Sequence, residues 1–190
     1  TETHEFTFDD VFDHTCTTED VYRQTAQPLV GSIFQGINCT CFAYGQTGSG
    51  KTYSMMGDAR TGAPGIYMLA ARDIFRLLRE PRYRALQVVT SFYEIYGGRL
   101  FDLLNDRRPL QALVDQQQAV VVKGLSEQKV SSVEALLRLI EYGMSVRSTG
   151  STGANADSSR SHAILQIALK TREGHKPVGK FSFIDLAGSE

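Results

Sequence analysis

The 190 residues suffice for one domain with a substantial core, and 42% hydrophobic with 22% charged residues is an ordinary globular balance. A formal net charge of −1 gives no overall pull toward nucleic acid or anionic lipid, so an acidic partner has to be met by local basic patches. No apolar run approaches the ~20 residues that cross a bilayer and no secretory leader opens the chain, which predicts a soluble protein.

In chain order, residues 5–8 read as a short strand. Thr17 and Asp20 have the spacing of a capping box, opening a helix with the apolar stripe Val21, Tyr22, Ala26, Leu29, Val30, Ile33 and Phe34 and a kink at Pro28. The apolar run 39–44 predicts a strand. Its two cysteines, Cys39 and Cys41, lie on one face of that strand, where extended geometry disfavours a bridge; with Cys16 they make an odd total of three, and a reduced, intracellular compartment fits best. The run leads into Gly45-Gln46-Thr47-Gly48-Ser49-Gly50-Lys51-Thr52, a complete G-x-x-x-x-G-K-[ST] loop. The helix that such a loop needs follows it without a breaker until Gly57.

A helix over 65–79 carries Ile66, Leu69, Ala70, Ile74, Leu77 and Leu78 on one face, and residues 86–96 form a strand that turns at Gly97 and Gly98. Residues 106–115 are polar, contain Pro109 and read as a loop. Short strands are expected over 120–123 and 127–130. Ser131 and Glu134 then cap a helix with Val133, Leu136, Leu137, Ile140 and Met144 inward. Small residues fill 148–161 before a strand over 162–170, a turn over 174–179 and a strand over 180–185. Strands interleaved with helices around a nucleotide loop predict an α/β fold, a central and mostly parallel sheet with helices on both faces. No repeat or linker marks a second domain.

Three segments carry chemistry. The glycines of the 45–52 loop let successive N–H groups point at a polyphosphate; Lys51 reaches the outer phosphates and the Thr52 hydroxyl can ligate Mg²⁺. Residues 155–162, Asn-Ala-Asp-Ser-Ser-Arg-Ser-His, offer hydroxyls and a cation suited to a terminal phosphate, a metal and an attacking water, although read alone they equally make a polar loop. Asp185, ending its strand, has the pattern of a Walker B aspartate holding Mg²⁺, with Gly188 able to present its N–H to the γ-phosphate and Glu190 nearby; taken alone it is also an ordinary cap or turn residue. The histidines His4, His14 and His175 have no metal-like spacing with the cysteines, and no zinc site is expected. The chain opens without methionine and stops just past this last strand, which reads as a fragment.

These residues resemble the kinesin family. Residues 42–52 look like the kinesin nucleotide loop, 155–162 like switch I and 185–190 like switch II, and the similarity covers nearly all of the chain. It is thereby identified as a partial motor domain over 1–190. Within the family, residues 40–44, 65–75 and 92–105 resemble the internal-motor, microtubule-depolymerising kinesin-13 group, whereas translocating kinesins usually show a Gly-Ile-Ile-Pro-Arg type sequence where this chain has 65–70. The resemblance implies a microtubule-stimulated ATP hydrolase with ATP and Mg²⁺ as cofactors and tubulin as partner, in the cytoplasm on the cytoskeleton. Homodimerisation would fall to regions outside these residues, as would the main microtubule-binding helix.

Roles follow position by position from the resemblance. Gly45, Gln46, Thr47, Gly48, Ser49, Gly50 and Lys51 would hold the phosphates, Tyr53 would lie near adenine in place of a frequent histidine, and Thr52, Ser159 and Asp185 would hold Mg²⁺. Ser158, Ser159, Arg160, Gly188 and Glu190 would serve catalysis, with Arg160 and Glu190 closing as a salt bridge when γ-phosphate is bound. Arg107 and Arg108 would be the visible contacts with acidic tubulin, while Arg72, Arg76 and Arg79 read as a solvated helix face. A non-catalytic microtubule-binding module and an unrelated P-loop kinase are the competing classes. The intact loop and switch residues argue against the first, and the switch sequences against the second.

Overall fold

A computed structural model describes residues 3–116, 118, 120–149 and 160–190. Residues 5–8 are exposed and pair with no strand, Phe6 and Phe8 facing solvent, so the expected first strand is not formed among the described residues. The capping box at Thr17 is present: Asp20 N donates to Thr17 Oγ1 at 3.2 Å and Thr17 N to Asp20 Oδ2 at 2.9 Å, starting α1 (Thr18–Gln24). The single kinked helix expected here is two, because α2 (Gln27–Ile33) restarts with Pro28 in its first turn. That is where a residue without an N–H does no harm.

Strand β1 (Asn38–Ala43) leads through the nucleotide loop into the short helix α3 (Lys51–Met56), a small β2 (Gly57–Asp58) and β3 (Ala63–Pro64) pair, and the long helix α4 (Ile66–Leu78). Then come β4 (Leu86–Tyr96), β5 (Arg99–Asp102), β6 (Arg108–Val114), β7 (Val120–Lys123), β8 (Gln128–Val130), α5 (Val133–Thr149), β9 (Ser161–Thr171) and β10 (Pro177–Asp185). Strand β6 occupies most of the stretch expected to be loop. Pro109 stands opposite Phe101 in β5, and the strand forms the outer β6–β7 hairpin where, apart from buried Leu110 and half-buried Val122, the described strand residues remain exposed. A polar, proline-containing sequence is tolerated at such a margin. The α5 cap is shifted by one residue: Ala135 N donates to Ser132 Oγ at 3.1 Å, making Ser132 and not Ser131 the capping residue.

The sheet runs β1-β10-β9-β4-β5-β6-β7, with β8 also against β4. It is mixed, and this corrects the expectation of mostly parallel strands. Only β1 and β10 pair in parallel among the described strands; every other ladder is antiparallel. Connection length explains it. The Gly97-Gly98 turn and the short β9–β10 turn are hairpins, and a hairpin permits only antiparallel neighbours, whereas a parallel pair needs a long crossover.

Helices α1, α2, α3 and α5 all touch α4, forming one layer that packs α2 and α3 on β1 and β10 and α5 on β4. Under it lie Phe92, Leu165, Ile167, Phe181 and Phe183, each 1% exposed or less. Burying one such side chain contributes about 1.5–3 kcal/mol. Phe181 and Phe183 stack at 4.3 Å, and Tyr67 of α4 meets Phe183 edge-on at 5.6 Å. Among the described residues the opposite face carries no helix and presents the cross-strand row Ser91, Gln166 and Ser182.

Candidate functional site

The parallel pair fixes the site. Ala43 at the end of β1 is in register with Asp185 at the end of β10, and Leu186 N donates to Ala43 O at 3.3 Å, so the loop that leaves β1 starts beside the strand-end aspartate. Gly48 and Gly50 have φ of 78° and 90°, the left-handed region that turns the chain back on itself into α3. Thr52 in the first turn of α3 then donates its hydroxyl to Asp185 Oδ2 at 2.7 Å. Lys51 Nζ lies 2.8 Å from the carbonyls of Gly45 and Gln46, parked on the loop itself. Tyr53 is about half exposed, its ring open to a partner.

Asp185 is 3% exposed, and its Oδ1 is a buried oxygen with no hydrogen-bond partner among the described residues. A buried, unsatisfied carboxylate oxygen beside a threonine hydroxyl fits the oxygen-rich surroundings of a divalent cation and its waters. Thr52 and Asp185 thus bring together oxygen donors of the kind that Mg²⁺ takes. Ser158 and Ser159 lie outside the described residues.

Behind Asp185 sits a residue that the sequence reading missed. Arg147 of α5 is 5% exposed; its NH1 donates to Asp185 Oδ2 at 3.3 Å, its Nε to Ser161 Oγ at 3.1 Å and its NH2 to Ser161 O at 2.9 Å, and it stands 3.9 Å from Glu94. Glu94 itself is 2% exposed and receives Arg107 Nε at 2.6 Å. Two carboxylates and two guanidinium groups thus share one buried network, which low dielectric makes strong when every member is paired. The signal was available. Leu136, Ile140, Gly143 and Arg147 follow the spacing of one helix face, so a cation ends an otherwise apolar stripe. Tyr67 closes the same region, its hydroxyl held neutral by burial and by the nearby negative Asp185.

Arg107 is accordingly not the free tubulin-facing residue expected. It turns inward to Glu94 and lies over the Phe101 ring at 4.9 Å. Arg108 is exposed at the start of β6. Arg72, Arg76 and Arg79 are exposed as expected, with Arg76 tied to Asp73 at 3.1 Å.

At the mouth of the loop, Glu190 receives Thr47 N at 2.9 Å and the Thr47 hydroxyl as well. These hydrogen bonds hold its carboxyl below the ordinary glutamate value. Arg160 is exposed, and no Arg160–Glu190 ion pair forms among the described residues. Ala187 N donates to His162 Nδ1 at 3.0 Å and Ser189 N to Gly45 O at 3.2 Å, so residues 186–190 are tied both to the head of β9 and to the loop.

Comparison with known proteins follows this geometry. The family model described as the kinesin motor domain matches residues 1–190. A human protein named kinesin-like protein KIF24 is 55% identical over 189 residues, covering 98% of this chain and 14% of its own length. Kinesin-like protein KIN-13B of Arabidopsis thaliana is 52% identical over 196 residues, covering 100% of this chain and 28% of its own. A solved structure of a fast kinesin, described for its ATPase mechanism and interactions with microtubules, superposes with a TM-score of 0.83 at 37% identity over 97% of this chain and 54% of that one. The chain therefore spans about half of that structure and less than a third of either relative.

Proposed function

We propose, from the premise that this chain belongs to the kinesin motor family, that it is the nucleotide-handling part of a microtubule-stimulated ATP hydrolase of kinesin-13 type, whose cycle drives depolymerisation of microtubule ends. The observation that carries the ATPase reading is the Thr52 hydroxyl 2.7 Å from the buried Asp185 at the root of a complete phosphate loop. In this reading Lys51 leaves the Gly45 and Gln46 carbonyls for the outer phosphates, and the loop amides from Gly45 to Gly50 surround the rest. Thr52, Ser159 and Asp185 would hold Mg²⁺, which when bound would supply charge neutralisation at the phosphates. Arg147 keeps Asp185 aimed at that place. Gly188 offers its N–H to the γ-phosphate, while Arg160 and Glu190 close over it and confine the attacking water, whose proton passes through Ser158 and Ser159 to the Glu190 carboxylate. The work is positioning more than covalent chemistry.

The depolymerase part rests on residues 40–44, 65–75 and 92–105 and is supported by the 52% identity to a protein named KIN-13B. A ligand shifts tubulin toward a curved state only by binding that state more tightly, so the full-length protein should prefer filament ends to straight lattice. Stabilised microtubules incubated with it and ATP are expected to shorten from both ends, and Lys51→Ala to prevent sustained shortening. Steady gliding of filaments over surface-bound protein without shortening would contradict the depolymerase and favour a translocating motor.

A further inference from the structure

Both donors of one loop residue grip one carboxylate. Thr47 N lies 2.9 Å from Glu190 Oε2, and the Thr47 hydroxyl donates to Glu190 Oε1. Glu190 thus occupies, as an anion, a loop amide of the kind that a phosphate oxygen takes in a nucleotide loop. Gly188 lies against the same contact: a Cβ there would stand 2.4 Å from Glu190 Oε1 and 2.5 Å from Thr47 Oγ1, so a side chain at this position would have to displace one of the two groups. Ser189 N, bonded to Gly45 O at 3.2 Å, fastens the same segment to the start of the loop. The loop's own cation, Lys51, adds a charge attraction to Glu190 smaller than the Thr47 hydrogen bonds, while its Nζ is hydrogen-bonded to Gly45 O and Gln46 O.

We propose that Thr47 is a positioning residue that holds Glu190 on the nucleotide loop until phosphate arrives, then exchanges the carboxylate for the phosphate and frees it toward Arg160. The proposal rests on the ATPase reading and adds to it a resting state with its own contacts. No covalent bond changes. Carboxylate and phosphate compete for the same N–H, so the grip lowers resting nucleotide affinity and couples loop occupancy to the release of Glu190.

The test is ADP affinity of the full-length protein in the presence of Mg²⁺, measured by calorimetry. Glu190→Gln weakens the acceptor and is expected to tighten ADP binding about tenfold, and Thr47→Val, which removes the hydroxyl donor, about fivefold. Because both act on one contact, the double variant should bind no more tightly than Glu190→Gln alone. Thr47→Ser keeps the donor and should restore affinity to within about twofold of the parent. Unchanged or weaker ADP binding in both single variants, or fully additive gains, overturns the exchange while leaving the ATPase reading standing. Failure of the unaltered protein to bind ADP or ATP overturns the ATPase reading itself.

Discussion

Asp185 and Glu190 are carboxylates of one short segment, yet the protein treats them differently. Asp185 on the floor of the site is 3% exposed, bonded to Thr52 and braced by a buried arginine that also serves Ser161 and stands against Glu94. Glu190 at the mouth is exposed, and its partner Thr47 is an exposed loop residue. Contacts inside a low-dielectric floor are costly to break and fix geometry, whereas contacts at a wet mouth are weak enough to be exchanged during a cycle. In the mechanism proposed above, the floor positions and the mouth switches.

That contrast sets the scale of the expected effects. The largest belongs to the floor: Arg147→Leu leaves Asp185 and Glu94 buried without their shared cation, and unfolding in urea should report a loss of about 3–5 kcal/mol. A loss near zero would mean that the network is not the support described. At the mouth, Arg160→Ala and Glu190→Ala should each lower steady-state hydrolysis about a hundredfold, ~2.7 kcal/mol, with nucleotide binding retained. Near-normal turnover in both would remove the closing pair from the mechanism. Lys51→Ala should weaken ATP binding tenfold to a hundredfold, since a charge-assisted hydrogen bond contributes about 1.5–3 kcal/mol; an unchanged affinity by calorimetry would refute its role.

The smallest effect lies away from the site. Burial alone would raise the Asp73 carboxyl, but hydrogen bonds from Gln27, Tyr22 and Arg76 outweigh it and hold the group below its ordinary value. A carboxylate with a depressed folded value contributes stability above the ordinary carboxylate range, and that contribution fades as pH falls through the range toward the folded value. Asp73→Asn should therefore cost about 1 kcal/mol at neutral pH and flatten the acid limb of the melting profile. An acid limb as steep as the parent's would show that Asp73 does not contribute to it.

What could be read in advance was local. The nucleotide loop and the Thr17 capping box are written in adjacent residues, because their hydrogen bonds form within a few positions, and Asp185 was legible only from its place at the end of an apolar strand run, its partners Thr52 and Arg147 being distant. Strand direction is not: it follows from which turns are hairpins, and the turn after Asp102 was hidden by Pro109 and polar neighbours that suit an exposed margin as well as a loop. Arg147 was passed over because its partners, Asp185, Ser161 and Glu94, are distant in the chain and meet only across the sheet. Arg107 was read as a surface cation for the same reason, since Glu94 that draws it inward belongs to another strand.

The most direct measurement is steady-state ATP hydrolysis by the full-length protein with and without microtubules, Lys51→Ala serving as the control. The floor and mouth described here predict turnover that rises on adding microtubules and is lost in the Lys51 variant. Turnover indifferent to microtubules, or equal in the two proteins, would contradict a microtubule-stimulated ATPase built on this loop.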